Sequence, residues 1–182
     1  MARIDYYDVA DAEDELKLAL ANRSKLNIFS MLAHAGAAAP MVLDLGQSLS
    51  RHSTLDPAQR ELVLLRVGHA CEAEYELSKH RRAARRAGLS DEKIDAIAAF
   101  PEISEIFTDF EQLLIFFTDS VLDETRMPDD LFEAVSKDLD ARQLVEVFLL
   151  IGFYRMVSRV MTHLDVDIEP LSDFEKYQLA LI

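Results

Sequence analysis

Residues 61–80 bring together a dense group of side chains that could transfer protons or attack a substrate. A mostly apolar run carries one acid and then opens into an ionisable cluster. Helices that serve only in packing seldom place acids and imidazoles on an apolar stripe, because an unpaired buried charge is costly. Clusters of this kind often mark working sites. The side chains concerned are Glu61, His69, Cys71, Glu72, Glu74, Tyr75, Glu76 and His80.

The spacing of Glu76 and His80 is that of neighbours on one face of a helix. Their carboxylate and imidazole groups can therefore form a hydrogen bond. His80 shares its face with apolar residues such as Leu77 and Ala84, which predicts partial burial. A carboxyl group beside a partly buried imidazole suits general acid/base catalysis. The simpler interpretation is a core histidine whose hydrogen bonds are satisfied and which has no catalytic role.

Glu61 lies on an apolar helical stripe with Leu64, Leu65 and Gly68, so its carboxylate is predicted to point toward the core. There it could join His80 in a proton relay. It could instead form a structural ion pair with Arg66 or with an arginine of another helix.

The element that carries these residues must bend. Asp56 followed by Pro57 predicts a helix start, and Gly88 supplies a stop, so the helical pattern runs over residues 56–87. On one straight helix with a rise of ~1.5 Å per residue, Glu61 and His80 would lie roughly 28 Å apart. They can meet only if the chain turns between them. We predict a helix–turn–helix break at residues 68–72.

The rest of the sequence predicts an all-α, single-domain helical bundle spanning residues 1–182. Helical periodicity dominates, no alternating strand pattern is present, and five Gly and five Pro are few for the turns of a β fold. After an acidic segment at 1–14, helices are predicted at 15–22, 24–35, 40–50, 90–99, 104–122, 128–137 and 141–164. The segment 141–164 is apolar on nearly every side, which indicates a core or a subunit interface. The apolar tail 177–182 is expected to pack onto the protein.

Charge and hydropathy narrow the classes of partner. The formal charge is -14, from 33 acids and 19 bases, which disfavours nucleic acid and anionic membranes. An anionic substrate would need a local patch of positive charge. No signal peptide is apparent, and no apolar block approaches the ~20 residues that cross a bilayer. These features predict a cytoplasmic protein that acts on a small molecule.

Cysteine and metal patterns exclude other chemistries. Cys71 is the only cysteine, so a disulfide or a redox pair within one chain is excluded. The sequence contains neither an HExxH motif nor paired ExxH motifs, the patterns that would suggest a metal site. It also lacks a glycine-rich phosphate loop. We therefore expect neither a metal nor a cofactor.

The segment LDPAQRELVLLRVGHACEAEYELSKHRRAARRAGLS resembles the carboxymuconolactone decarboxylase and AhpD-like alkyl hydroperoxidase superfamily, as do NIFSMLAHAG upstream and ARQLVEVFLLIGFYRMVSRVMTHLDV downstream. The resemblance covers residues 24–168, with the family motif at 55–94. It implies an AhpD-like helical fold, a homo-oligomer (a trimer or a hexamer) and a site between helices. It also implies that Glu61 corresponds to the family's glutamate on the preceding helix and that Tyr75 is a further relay position.

One departure from the family pattern decides the predicted chemistry. The peroxidase branch uses a Cys-x-x-Cys pair, whose positions fall here at Ala73 and Glu76. Cys71 is nine residues before His80, about 180° away on a continuous helix. The resemblance, without its thiols, implies a decarboxylase-like enzyme that performs acid/base chemistry on a small carboxylated, lactone-like metabolite. In this hypothesis His80 is the acid/base, Glu61 and Glu76 form its relay, and Tyr75 donates a hydrogen bond.

The sequence leaves the anion-binding residues and two alternative functions open. Arg81 and Arg85 are candidate anion-binding residues, although such a basic run is more typical of a solvated or interface face. An AhpD-like peroxidase that uses Cys71 as a single thiol is the first alternative function. A non-catalytic oligomeric helical protein is the second.

Overall fold

The structure, a computed structural model, describes residues 1–21, 23, 25–123 and 126–170. Within these ranges the chain is helical and contains no strand, which confirms the all-α prediction. Short 3-10 turns occur at Val9–Asp11, Ala33–Ala35 and Ile97–Ala99. The α-helices are α1 (Asp14–Ala21), α2 (Asn27–Leu32), α3 (Ala38–Arg51), α4 (Pro57–Ala70), α5 (Glu74–Arg86), α6 (Asp91–Ala96), α7 (Asp109–Asp123), α8 (Asp129–Val135) and α9 (Ala141–His163).

Helix α4 is the centre of the bundle and packs against α5, α7 and α9. Its start is fixed locally, because the Asp56 side chain accepts hydrogen bonds from the backbone N–H groups of Ala58 at 2.9 Å and Gln59 at 3.3 Å. Most of its residues from Glu61 to Gly68 are buried. A helix apolar on nearly every side is stable only when other helices cover it. Glu61 is therefore buried because the apolar residues around it on α4 pack into the core.

The predicted break between the two motif helices is confirmed. Helix α4 ends at Ala70, and α5 begins at Glu74. The reversal uses Glu72, whose φ of 51° lies in the left-handed region. The backbone N–H of Ala73 donates to the carbonyl of Gly68 at 2.9 Å and closes the turn. As a result α5 folds back along α4, and His80 comes beside Glu61.

Gly68 allows α4 and α5 to approach closely. A Cβ atom at this position would lie 2.8 Å from Cδ2 of Leu77 and 3.2 Å from its Cγ. We expect Gly68→Ala to lower the free energy of unfolding by about 1–3 kcal/mol, the usual cost of overpacking, in urea titrations followed by circular dichroism. Gly152→Ala on α9 is the control, because nothing lies within 4 Å of that position. Equal stability of the Gly68 variant and the parent would contradict this close packing.

Helix boundaries differ from prediction where side chains cap the backbone. The helix predicted at 104–122 begins at Asp109. The Thr108 hydroxyl accepts from the N–H of Glu111 at 3.3 Å, and the Glu111 carboxylate accepts from the N–H of Thr108 at 2.8 Å. This reciprocal capping box sets the start. The predicted helix 24–35 is shorter, as α2 followed by a 3-10 turn.

Two sequence predictions reach past the described residues. The apolar tail 177–182 lies outside them, and the single domain over residues 1–182 stays a prediction. Within the described ranges, no helix combines the length and the apolarity that crossing a membrane requires.

Candidate active site

His80 is held between two carboxylates. Its Nδ1 lies 2.7 Å from Oε2 of Glu61 on α4, and its Nε2 lies 3.0 Å from Oε2 of Glu76, one turn earlier on α5. The side chains of His80, Glu61 and Glu76 are only 14%, 6% and 9% exposed. The structure therefore brings together three of the four residues predicted to be catalytic.

This arrangement makes the imidazole a cation. Burial by itself would lower the pKa of His80, but the hydrogen bonds and negative charges of Glu61 and Glu76 outweigh it and raise the pKa to about 9. At neutral pH both ring nitrogens then carry protons, and each N–H donates to one carboxylate. The group is an acid with a proton available at Nε2, provided that a substrate can reach this side of the ring.

A cavity of about 320 Å³ gives that access. It lies among α2, α3, α5 and α9, and both Glu76 and His80 line it. Glu61 does not line it and sits behind the imidazole. The carboxylates thus differ in position: Glu61 is a buried support for the ring, whereas Glu76 faces the space where a ligand would bind.

Most of the charged side chains that line the cavity are basic. Arg23, Arg51 and Lys79 line it together with His80, and Glu76 is its acidic lining residue. Arg23 pairs with Asp44 at 2.6 Å. Arg51 forms no ion pair or hydrogen bond with any described residue, so its guanidinium group can interact with a ligand. Arg51 thus supplies the positive charge that an anionic substrate requires.

Tyr75 lines the same cavity but is committed elsewhere. Its hydroxyl donates to Oε1 of Glu169 at 2.6 Å and accepts from the backbone N–H of Ile28 at 3.4 Å. Glu169 also pairs with Lys79 at 2.5 Å and accepts a hydrogen bond from the N–H of Asn27. Tyr75 therefore ties α5 to the segment after α9, and no hydrogen bond joins it to His80 within the described residues.

Sequence reasoning missed Tyr154, the tyrosine that does contact His80. Its ring meets the imidazole edge-on, with centroids 5.1 Å apart and planes at 81°, and it lines the cavity. Tyr154 lies in α9, which is apolar on nearly every side, so the sequence predicts a tyrosine that only packs in the core. The available signal was its hydroxyl group, since a buried tyrosine usually needs a hydrogen-bond partner.

Cys71 lies apart from this site. It caps α4, is 4% exposed and belongs to the central apolar cluster. It is not a cavity-lining residue. Burial raises the pKa of its thiol, although Arg159 and Arg155 act in the opposite direction. Since the thiolate is the nucleophilic form, this environment disfavours a reactive cysteine.

Arg81 and Arg85, the predicted anion-binding residues, also lie outside the cavity lining. Arg81 pairs with Glu74 at 3.1 Å, and Arg85 pairs with Asp91 at 2.5 Å. Their role as anion-binding residues stays a prediction, and this cavity does not include them. In the part of the chain that the structure describes, no group of three or more His, Cys, Asp or Glu side chains is arranged to hold a metal ion.

Comparison with known proteins finds a matching family model, similar sequences and solved structures of the same fold. Residues 36–119 match the carboxymuconolactone decarboxylase family. The chain is 28% identical over 123 residues to the uncharacterized protein YnjA of Escherichia coli (strain K12), a match that covers 66% of each protein. Because this relative is itself uncharacterized, the match indicates relatedness but suggests no substrate.

Two solved structures share the fold. One is the alkylhydroperoxidase AhpD core of an uncharacterized peroxidase-related protein from Ralstonia eutropha JMP134, with a TM-score of 0.77, 14% identity and 92% of each chain covered. The other is the debrominase Bmp8 in complex with 2,3,4-tribromopyrrole, with a TM-score of 0.71, 14% identity, and 100% of this chain and 99% of that chain covered. The different reactions named for these neighbours show that the fold does not determine the chemistry.

Proposed function

We propose that the chain is a decarboxylase-like enzyme of the carboxymuconolactone decarboxylase and AhpD-like superfamily. The match of residues 36–119 to the carboxymuconolactone decarboxylase family and the presence of only one cysteine support this proposal. Its substrate would be a small carboxylated, lactone-like metabolite. The observation that carries this proposal is the His80 imidazolium, held by Glu61 and Glu76 at the wall of a cation-lined cavity. The site offers an acid and an anion-binding surface, and no thiol.

The proposed reaction uses these groups directly. The bond between the substrate carbon and its carboxylate breaks, CO2 leaves, and the electron pair stays on the lactone as an enolate. His80 then transfers its Nε2 proton to that carbon, with Glu76 beside it to pass the proton. Glu61 holds the ring and compensates its charge. Solvent restores the proton to His80, so the cycle needs no oxidant and no cofactor.

The cations supply recognition of the substrate. The guanidinium group of Arg51 pairs with no described residue. Such a group binds a carboxylate through two parallel hydrogen bonds. The chain as a whole carries a formal charge of -14, so this local charge selects where an anion binds. Lys79, already paired with Glu169, would contribute to the potential without direct contact.

We also propose that the enzyme is a cytoplasmic homo-oligomer, a trimer or a hexamer as in its superfamily. Helix α9 leaves several large apolar side chains in contact with solvent, with Val145 at 57%, Leu149 at 48% and Met156 at 43% exposure. They recur at helical spacing on one face, which is typical of an interface.

The direct test is CO2 release from a panel of small carboxylated lactones. The parent protein is expected to release CO2 from at least one of them, and the corresponding decarboxylated lactone should accumulate in equal amount. Absence of CO2 from the whole panel, together with absence of binding by calorimetry, would contradict the proposal.

A serine at position 71 separates this mechanism from the single-thiol peroxidase. We expect Cys71→Ser to leave kcat/KM for decarboxylation within about twofold of the parent, because the thiol lies in the apolar core away from the cavity. The parent is expected to consume no alkyl hydroperoxide in the presence of excess dithiol. Peroxide consumption that disappears in the Cys71 variant would favour the peroxidase instead.

A further inference from the structure

We propose that the Tyr154 hydroxyl donates a hydrogen bond to the oxygen that becomes negative when the substrate loses CO2. Lactone enolates are then the ligand class for which this cavity is built. The inference rests on the proposed function and adds a catalytic residue and a ligand state to it.

The position of Tyr154 is set from two sides. Its ring lies edge-on to His80 at 5.1 Å and also packs against the ring of Phe153, with centroids 5.5 Å apart. Tyr154, Phe153 and His80 all line the cavity. Contacts with two neighbouring rings restrict the orientation of the Tyr154 ring and therefore the direction of its hydroxyl. Preorganised stabilisation of a transition state requires such a fixed donor.

The hydroxyl of Tyr154 is uncommitted, unlike its neighbours. It has no hydrogen-bond partner among the described residues. It is also not one of the buried polar atoms that lack a partner, so solvent or a ligand can reach it. The hydroxyl of Tyr75 is engaged by Glu169, and both ring nitrogens of His80 are engaged by carboxylates. Tyr154 is thus the tyrosine of this cavity that is free to donate to a bound ligand.

The surroundings keep this hydroxyl protonated. Burial raises the pKa of Tyr154, and the negative charges of Glu76 and Glu61 raise it further, while Arg60 acts in the opposite direction. A neutral phenol beside carboxylates remains a hydrogen-bond donor at neutral pH. It therefore provides what an enolate oxygen needs without taking the role of proton source from His80.

The two donors divide the reaction between them. When the bond to the departing carboxylate breaks, its electron pair moves into the lactone carbonyl, and the carbonyl oxygen becomes negative. Tyr154 donates a hydrogen bond to that oxygen and keeps its own proton, while His80 transfers its proton to carbon. Removal of one such oxyanion donor typically lowers kcat by about 10²–10³-fold.

Ligand binding tests the inference without a known substrate. Tetronic acid is a lactone that is an enolate at neutral pH, and γ-butyrolactone is its neutral counterpart of the same ring size. We expect the parent to bind tetronate more tightly than γ-butyrolactone in calorimetric titrations at pH 7. Tyr154→Phe should weaken tetronate binding about tenfold or more, as loss of a hydrogen bond to a charged group implies, and butyrolactone binding by much less.

A matched control is present elsewhere in the chain. Tyr7 meets His34 edge-on with centroids 5.3 Å apart, outside the cavity, so Tyr7→Phe should change neither affinity. Equal tetronate binding by the parent and Tyr154→Phe, or equal losses for both ligands, would overturn the inference. These results are distinguishable from failure of the proposed function. A Tyr154-dependent tetronate site in a protein that releases no CO2 would refute decarboxylation and retain the enolate site.

Discussion

Replacing His80 by alanine is expected to lower kcat/KM for decarboxylation by about 10³-fold, within the range typical for loss of a general acid. His80 carries the transferable proton and lines the cavity together with Glu76, whose carboxylate lies 3.0 Å from Nε2. Without the imidazolium proton, the enolate would have to take its proton from water. The measurement is the initial rate of CO2 release for parent and variant at equal concentrations of folded protein.

His163→Ala is the matched control for this loss, because that histidine is exposed at the end of α9. It should keep kcat/KM within about twofold of the parent. Turnover that persists in His80→Ala, with the helical circular dichroism signal unchanged, would refute the role assigned to the imidazole.

Replacing Glu61 by alanine is expected to destabilise the protein by about 3 kcal/mol near pH 6, the lower end of the cost of breaking a buried ion pair. The pair joins Glu61 to the imidazolium across 2.7 Å. The pKa of His80 is raised from 6.5 to about 9, so its contribution is fully present below pH 6.5 and is lost as the pH rises through 9. The cost of the substitution should therefore shrink by pH 9.5, where the ring is neutral in both proteins.

Urea unfolding of parent and Glu61→Ala at several pH values measures this cost. Glu61→Gln is the matched variant, since it keeps a hydrogen-bond acceptor of the same size but removes the charge, and its cost should be smaller. A destabilisation that is independent of pH would show that Glu61 contributes by packing and not by its charge.

The helix pair that carries the site was predictable because its signals are local. Asp56 and Pro57 fix the start of α4 within one turn. The break near residue 70 followed from geometry, because Glu61 and His80 could not meet on a straight helix. The Glu76–His80 contact followed from four-residue spacing alone. Each of these depends on residues that are close in sequence.

The cavity was not predictable, because its walls come from distant segments. Arg51 reaches it from α3 and Tyr154 from α9, and neither has a motif that ties it to His80. For the same reason, the sequence could not show that Arg81 and Arg85 lie outside the cavity lining. Sequence placed them on the helix of His80, but the packing of α5 on α4 turns them toward Glu74 and Asp91.

At neutral pH His80 is expected to be an imidazolium that Glu61 and Glu76 support and that can give a proton to a ligand in the cavity. Nuclear magnetic resonance of the ¹⁵N-labelled imidazole rings, recorded from about pH 6 to pH 10 and assigned with His80→Ala, tests it most directly. We predict that both ring nitrogens of His80 are protonated at pH 7 and that the ring titrates near pH 9. A neutral His80 ring at pH 7 would show that this imidazole is not the proton donor.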